Sequence, residues 1–387
     1  MESVALAILG GVAGLLGAVV AVRVLTRSLP DGTLPFPDVA VDSTVLWFGF
    51  ALTIATGLLF GLAPAWRVAR VDLQTTLRQG GRGSAGMGAL WGRRNNARKL
   101  LVISELALSV VLLIGAGLLI RSFARLERVP PGFDPRNVLT FDLTMAGRKY
   151  SASQMVLNTY RELWQRLQQL PGVTAAGGTT SIPLSEAYAW TPITVEGRAP
   201  LAGEKFINSD ARVVGGNYFQ AMGIPLRRGR FFNDQDIATK ARVVIIDEHM
   251  ADEFWPKQDA VGKRIHIVEL KSSDPWQVIV GVVGRVKQDS LDSDPRIAFY
   301  MPQTQSPSRA MTVAVRGAGD PAKLTAAVKN EIRALDRELP MYSVRTMWER
   351  VDESLARRRF FELMLSLFAG LALALATVGI YGVMAYL

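Results

Sequence analysis

Gly81, Gly83 and Gly86 stand at the spacing G-x-G-x-x-G, which cradles a dinucleotide pyrophosphate when it joins a strand to a helix. Here the glycines lie among arginines and follow an apolar run instead of a strand, so a flexible linker is the plainer reading. Gly262-Lys263 has the glycine and lysine of a phosphate loop, but Lys257 replaces its first glycine and Arg264 its Ser/Thr, so the chain is not its own P-loop ATPase. His249 lies in Asp247-Glu248-His249-Met250-Ala251-Asp252-Glu253. On a helix, Glu248 would stand beside Asp252 and His249 beside Glu253, a set able to take a divalent cation. A solvated helix start after a strand at Val243–Ile246 accounts for the same charges. His266 alternates with Arg264 and apolar neighbours, and no Ser/His/Asp set can be assembled. With no Cys in 387 residues, a thiolate nucleophile, a thiolate zinc site and a disulfide framework are all excluded. No catalytic, cofactor-binding or metal-ligating residue is assigned, and the chain is not expected to be an enzyme.

The remaining polar oddity is Glu105, the one charge in the run Leu100–Ile120. At the centre of a membrane helix it would cost roughly 2.5–3.5 kcal/mol, but five residues from the start of the run it can reach the interface. It is either a polar contact within a helix bundle or with a coupling element, or a snorkelling interfacial carboxylate.

The elements that would carry these residues are segregated. The composition pairs a net charge of +10 with 49% apolar residues and a mean hydropathy of +0.19, and a nucleic-acid binder usually gains its charge at the expense of apolar content. Ser3–Leu25 is apolar or small apart from Arg23, and 23 helical residues reach roughly 34 Å, enough to cross a bilayer core. Thr44–Trp66, Leu100–Ile120 and Leu363–Leu387 are three more such runs. The first lacks a positive n-region and is longer than a signal-peptide core, so it too reads as a span. Gly10/Gly14 and Gly57/Gly61 are G-x-x-x-G pairs that would let helix backbones approach closely.

The linker at 67–99 holds eight basic residues against one acid, Asp72, whereas the loop between the first two runs has Arg27 and three aspartates. The positive-inside rule places 67–99 and both chain ends in the cytoplasm. Arg121, Arg125, Arg128 and Arg357–Arg359 flank the long segment between the last two runs, but long segments translocate largely regardless of flanking charge.

That segment, 121–360, has the mixed composition of a folded domain. Val138–Met145 reads as a strand, followed by Val156, Tyr160, Leu163, Leu167 and Leu170 on one helix face, stopped by Pro171-Gly172. The pattern returns as a strand at Met311–Arg316, then Asp320 as N-cap, Pro321 at N1, a helix face of Leu324, Val328, Ile332, Leu335 and Leu339, and a strand at Met341–Thr346. Two strand–helix–strand units so far apart imply a split subdomain. A mostly-β insertion, about Thr191–Pro302, would carry strands at Ile193–Glu196, Ala211–Val214, Val243–Ile246, Arg264–Val268 and Gln277–Val283. Phe123 and Leu126, with Val129, on one flank and Trp348, Val351 and Leu355 on the other fit helices that prolong the third and fourth spans as a paired stalk. The fold class is thus an α+β integral membrane protein with four transmembrane helices and a large periplasmic α/β domain.

Several segments resemble the MacB-like and FtsX-like permeases of ABC transporters, in particular the tandem type with two fused halves. They are Gly57-Leu58-Leu59-Phe60-Gly61-Leu62-Ala63-Pro64-Ala65, Glu105-Leu106-Ala107-Leu108-Ser109, Met222-Gly223-Ile224-Pro225-Leu226, Phe254-Trp255-Pro256, Gly281-Val282-Val283-Gly284 and Gly379-Ile380-Tyr381-Gly382-Val383. The resemblance implies an internal slice of a longer permease. Residues 1–66 would be two helices ending one half, 67–99 a cytoplasmic linker, 100–120 a span, 121–360 a periplasmic core domain with stalk flanks, and 361–387 the first span after it. It implies mechanotransmission in the inner membrane, with ATP bound by a separate ABC ATPase in trans and no cofactor in this chain. The implied partners are a second permease half or copy, the lipid bilayer and a periplasmic adaptor, and no nucleic acid. The competing expectation is a membrane-anchored periplasmic binding or scaffold module that meets no ATPase.

Overall fold

The computed structural model of the chain describes residues 2–28, 42–69, part of 103–125, 129–185, 190–198, 206–237, 240–268, 276–291, 293 and 296–384. The chain divides into two units, 1–123 with 356–387, and 124–355.

In the first unit, α1 (Glu2–Ser28) and α2 (Ser43–Ala69) are paired helices. Their close approach falls on other glycines than the G-x-x-x-G positions. A Cβ added at Gly11 would lie 2.5 Å from Thr53 Cγ2 and one at Gly49 3.3 Å from Leu15, whereas Gly10 and Gly14 face open space. The Thr53 hydroxyl donates back to the Gly49 carbonyl at 2.8 Å, which turns a polar side chain inward without leaving its donor unmet. Gly57 and Gly61 lie on α2 where their surroundings are outside the described residues. Among the described residues, one helical stretch, Arg359–Val378, is long and apolar enough to cross a membrane. Leu9–Val20, Ser43–Ala55 and Leu113–Ser122 are shorter apolar helices.

The second unit contains the split subdomain and its insertion. β1 (Val138–Thr144), α3 (Ser153–Gln169) and β2 (Val173–Thr179) form the first strand–helix–strand unit. β10 (Ala310–Gly317), α6 (Leu324–Leu335) and β11 (Met341–Thr346) form the second. The four strands lie in the order β11-β1-β10-β2, every neighbour antiparallel, the split βαβ arrangement. Alternation decides the packing. Leu139, Phe141 and Leu143 of β1 and Met311, Val313 and Val315 of β10 meet Val156, Tyr160, Leu163 and Leu167 of α3 and Val328 and Ile332 of α6 in one core. Asp320 caps the second helical segment by accepting from the Ala322 amide, as its position before Pro321 implies. That helix ends at Leu335, not at Leu339. Asp336 turns extended, and Leu339 is buried beyond the turn.

The insertion closes on itself. β3 (Trp190–Val195), β4 (Ile207–Gly216), β6 (Val243–Asp247), β7 (Arg264–Ile267), β8 (Gln277–Val283) and β9 (Ala298–Pro302) pair in the ring β4-β3-β7-β8-β6-β9-β4, a six-stranded barrel. Ile193, Val195, Val244, Ile246, Ile265, Ile267, Ile279 and Phe299 share its core with Met250 and Trp255, the spacing by twos marking their common face. β5 (Leu226–Gly229), which pairs with β8, and β9 had no counterpart among the expected strands. Short helices α4 (Tyr218–Met222) and α5 (Glu248–Phe254) follow β4 and β6. The long α7 (Met347–Met384) follows β11.

β4 belongs to both assemblies. Ile207–Asp210 pairs with β3, Asp210–Val214 with β9, and Val214–Gly216 with Thr179–Gly177 of β2. At that crossing a Cβ on Gly177 would collide with the backbone of Tyr218 and lie 2.6 Å from Gly215 O. One on Gly216, already at φ +59, would lie 2.8 Å from Ala176 O. Gly177→Ala should therefore destabilise the second unit by about 1–3 kcal/mol, as overpacking against rigid backbone does. Gly319→Ala, at a position open to solvent, should leave stability unchanged. Chemical denaturation of the detergent-solubilised chain, read by tryptophan fluorescence, compares the two.

Candidate functional site

α7 starts with a local signal and a distant one. Thr346-Met347-Trp348-Glu349 is a capping box, in which the Thr346 hydroxyl accepts from the Glu349 amide at 3.1 Å and the Glu349 carboxylate from the Thr346 amide at 2.8 Å. One residue on, Arg350 reaches across to β1. Its Nε donates to Thr140 Oγ1 at 2.7 Å, and Thr140 passes its own proton to the Arg345 carbonyl at 2.9 Å. The guanidinium also lies 3.9 Å from Asp142, which holds the Thr312 hydroxyl at 2.6 Å, and donates to Ser343 O at 3.4 Å. β11 carries an extra residue against β1 between these contacts, with Ser343 at φ +52, and that bulge breaks the ladder next to Arg350. Arg345 and Glu353 add an ion pair nearer the surface.

Burial lowers the Arg350 pKa, opposed by Asp142, yet an arginine stays charged at every working pH. The result is a charged clamp that seats the first turns of α7 on the face of the sheet opposite α3 and α6. Of the expected stalk residues, Leu355 is buried, Val351 is half-buried and Trp348 is exposed. The residue that seals the helix start is Met347, with no exposed surface. Phe123, Leu126 and Glu105 lie outside the described residues, as do Gly81, Gly83 and Gly86.

A second polar cluster lies on the outer face of β4 and β9. Arg212, wholly buried, donates to Ser181 O at 2.6 Å and to Asp210 at 3.3 Å. Arg296 lies 3.9 Å from Asp210, pairs with Asp289 and covers the ring of Trp190. Tyr300, opposite Arg212, accepts from Gln288. The expected solvated helix start at Asp247 is instead a buried cap. Asp247 Oδ1 accepts from the amides of Met250 at 2.9 Å and Ala298 at 3.2 Å, and Oδ2 meets no donor among the described residues. The acids after it engage arginines, Glu248 with Arg227 at 3.0 Å and Asp252 with Arg285 at 3.8 Å. His249 lies 4.0 Å from Glu253, and among the described residues no three His, Asp or Glu side chains are placed to hold a metal ion. These groups stabilise charge and fix backbone.

The sequence that builds most of the split sheet and the barrel insertion is matched by a family profile, which ends before β11 and α7. The MacB-like periplasmic core domain aligns with residues 101–335, more than half of the chain. The chain belongs to this family. Its curated relatives are MacB-like ABC transporter permeases. It is 26% identical over 214 residues to the probable syringafactin export ATP-binding/permease protein SyfD of Pseudomonas syringae pv. syringae, which covers 52% of this chain and 31% of that one. It is 24% identical over 189 residues to the macrolide export ATP-binding/permease protein MacB of Shigella dysenteriae serotype 1, covering 46% and 28%. The matched part thus spans under a third of either relative. The solved periplasmic region of MacB from Actinobacillus actinomycetemcomitans aligns with 58% of this chain and 94% of its own at 13% identity, with a TM-score of 0.38.

The Arg350 clamp, which joins this MacB-like domain to α7, was out of reach of sequence reasoning, since Thr140 stands about 210 residues earlier. The capping box beside it was a readable signal. Losing a buried, charge-assisted pair costs about 1.5–3 kcal/mol, so Arg350→Ala should speed hydrogen exchange of the first α7 amides roughly ten- to hundredfold, with Arg350→Lys between it and the parent. Mass spectrometry of exchanged peptides reads the effect.

Asp247 makes a separate prediction. Burial pushes its carboxyl up to about 7, against the Met250 and Ala298 amides that favour its charge. The folded domain therefore keeps a proton that the unfolded chain releases near 3.8, so stability falls as pH rises between about 4 and 7 and levels off above. Asp247→Asn should remove that fall, and melting temperature measured from pH 4.5 to 8 separates the two curves.

Proposed function

We propose that the chain is part of the permease of a MacB/FtsX-type ABC transporter and carries ATPase-driven motion to an extracytoplasmic domain that handles efflux or release of a substrate. The observation that carries this reading is the seat of α7. A helix that contains the stretch Arg359–Val378, long and apolar enough to cross a membrane, starts in a capping box and is held to β1 by Arg350, so axial or rotational displacement of the helix start would pass to the sheet without an intervening loop. Helices α1 and α2, the apolar stretch at Leu113–Ser122 and α7 would supply four spans. The Arg-rich linker 67–99 and both ends of the chain would face the cytoplasm, and the second unit the periplasm. ATP would be hydrolysed by a separate P-loop subunit, since this chain offers no phosphate loop, and the permease would pair with a second half or copy and meet a periplasmic adaptor. The chain itself would perform no covalent chemistry and hold no cofactor. The names of SyfD and MacB point to export substrates, syringafactin for the one and macrolides for the other, and nothing in this chain's residues chooses between them.

The full-length protein purified in mild detergent should bring down a P-loop ATPase. In that assembly Arg350→Ala should leave ATP hydrolysis in place while lowering ATP-driven transport roughly 2- to 30-fold, the range for a coupling change of about 0.5–2 kcal/mol. Purification without any ATPase would favour the anchored binding or scaffold module instead.

A further inference from the structure

The chain enters the second unit by a different grip from the one by which it leaves. Arg350 and Glu353 of α7 are bonded to the split sheet, through Thr140, Asp142, Ser343 and Arg345. Pro131 to Asp134, three residues upstream of β1, touch the insertion first and the split sheet second. Pro131 O accepts from the Lys287 amide at 2.9 Å. Gly132, at φ +86, lies so close to the Arg285–Val286 backbone that an added Cβ would collide with Arg285 O. Phe133 is buried. The Asp134 amide donates to Met222 O of α4 at 2.8 Å, and Arg316 of β10 donates to Asp134 O at 2.7 Å, Arg136 O at 2.9 Å and Ala221 O at 2.8 Å. Residues 285–287 continue β8 out of the barrel, where Gly284 packs on Pro225. The strap therefore lies between barrel and split sheet.

We infer that Pro131–Asp134 is a wedge that converts displacement of the incoming flank relative to α7 into a tilt of the barrel against the split sheet, with the β2–β4 glycine crossing as the hinge. Three features make the tilt physically accessible. The two cores are separate apolar clusters. The layer joining them at β4 mixes Tyr218, Phe219 and Tyr300 with the polar Asp210, Arg212 and Gln303, whose Asp210 Oδ1, Arg212 Nε and Gln303 Nε2 meet no partner among the described residues, so it coheres less than an apolar interface of equal area. The ladder that crosses between the assemblies is three residue pairs long. The wedge rests on the mechanical reading proposed above, but it makes its own claim about which subdomain each flank controls.

The test needs neither an ATPase nor a substrate, so failure of the transport reading leaves it intact. In the full chain in lipid nanodiscs, spin labels at Glu253→Cys on α5 and Gln168→Cys on α3 report the barrel-to-sheet distance, on a background with no native cysteine. Gly132→Ala, which forces the strap off Arg285, should shift or broaden that distance distribution, and Arg350→Ala should not, because Arg350 grips Thr140, Asp142 and Ser343 of the split sheet. An unchanged distribution in Gly132→Ala, or an equal change in Arg350→Ala, overturns the wedge. A second measurement on the unsubstituted chain covers the case in which Gly132→Ala does not fold. The amides of Lys287 and Asn217, bonded to Pro131 and Ala176, should exchange as one cooperative unit, within about threefold of each other. If Lys287 instead exchanges with the barrel interior while Asn217 follows the split sheet, the wedge is not a unit and the inference fails.

Discussion

The backbones of β2 and β4 approach at Gly177 and Gly216 more closely than any side chain would permit, and the architecture of the second unit depends on that approach. β4 starts as a barrel strand against β3 and ends as a neighbour of β2. A strand can change partners in this way only if its last residues can turn and sit against the next backbone. Gly216 supplies the left-handed turn into Asn217, and the missing side chains leave room for Trp164, whose ring lies 3.0 Å from the Cβ position of Gly216 and 2.9 Å from that of Gly178. Tyr160 stacks on the same tryptophan, so the α3 face is built around a space that the glycines leave empty.

The two assemblies meet through different chemistry from the one that holds each together. Inside them, alternating apolar side chains are buried at about 25 cal/mol per Å² removed from water, with little directional demand. Between them stand Arg212 with Asp210 and the Ser181 carbonyl, a contact that needs its geometry, because a buried charge with a lost partner costs several kcal/mol. A joint of this kind tolerates a small change of angle only where its polar partners move together, and Ser181, Asp210 and Arg212 all lie next to the glycine crossing. The clamp at Arg350 follows the same logic. Thr140 serves both Arg350 and Arg345, so helix and edge strand are tied through a single hydroxyl on β1.

Much of the split subdomain was legible before any coordinates. Period-3.6 spacing over Val156–Leu167 and Val328–Ile332, an N-cap before Pro321 and a Pro-Gly stop after Leu170 are local causes, and helices and strands stand close to where those causes put them. Local signals also misled where they were ambiguous. Leu339 continues the apolar period of α6 but lies beyond a turn, since Asp336 leaves the helical region first. β5 offers one apolar residue before Arg227-Arg228-Gly229, too short for any alternation to show, and β9 is apolar throughout and carries no period. In α1 and α2 the glycine spacing was visible, but which glycine faces the neighbour is set by how the helices are rotated, and Gly11 and Gly49 face it.

The amino-acid sequence by itself determined the segregation of apolar runs from a mixed domain, the two strand–helix–strand units, the barrel strands with clear alternation and the family resemblance. All of these arise from residues within a turn or two of each other, or from composition. The tertiary structure alone decided that the insertion closes into a ring, that β4 serves two sheets, that Asp247 is a buried cap and that Arg350 clamps α7 to β1. Each of these depends on a pair distant in sequence, from Asp247 and Ala298 to Thr140 and Arg350, and no local preference encodes such a pair. It exists only once the whole chain has placed two strands and a helix against one another.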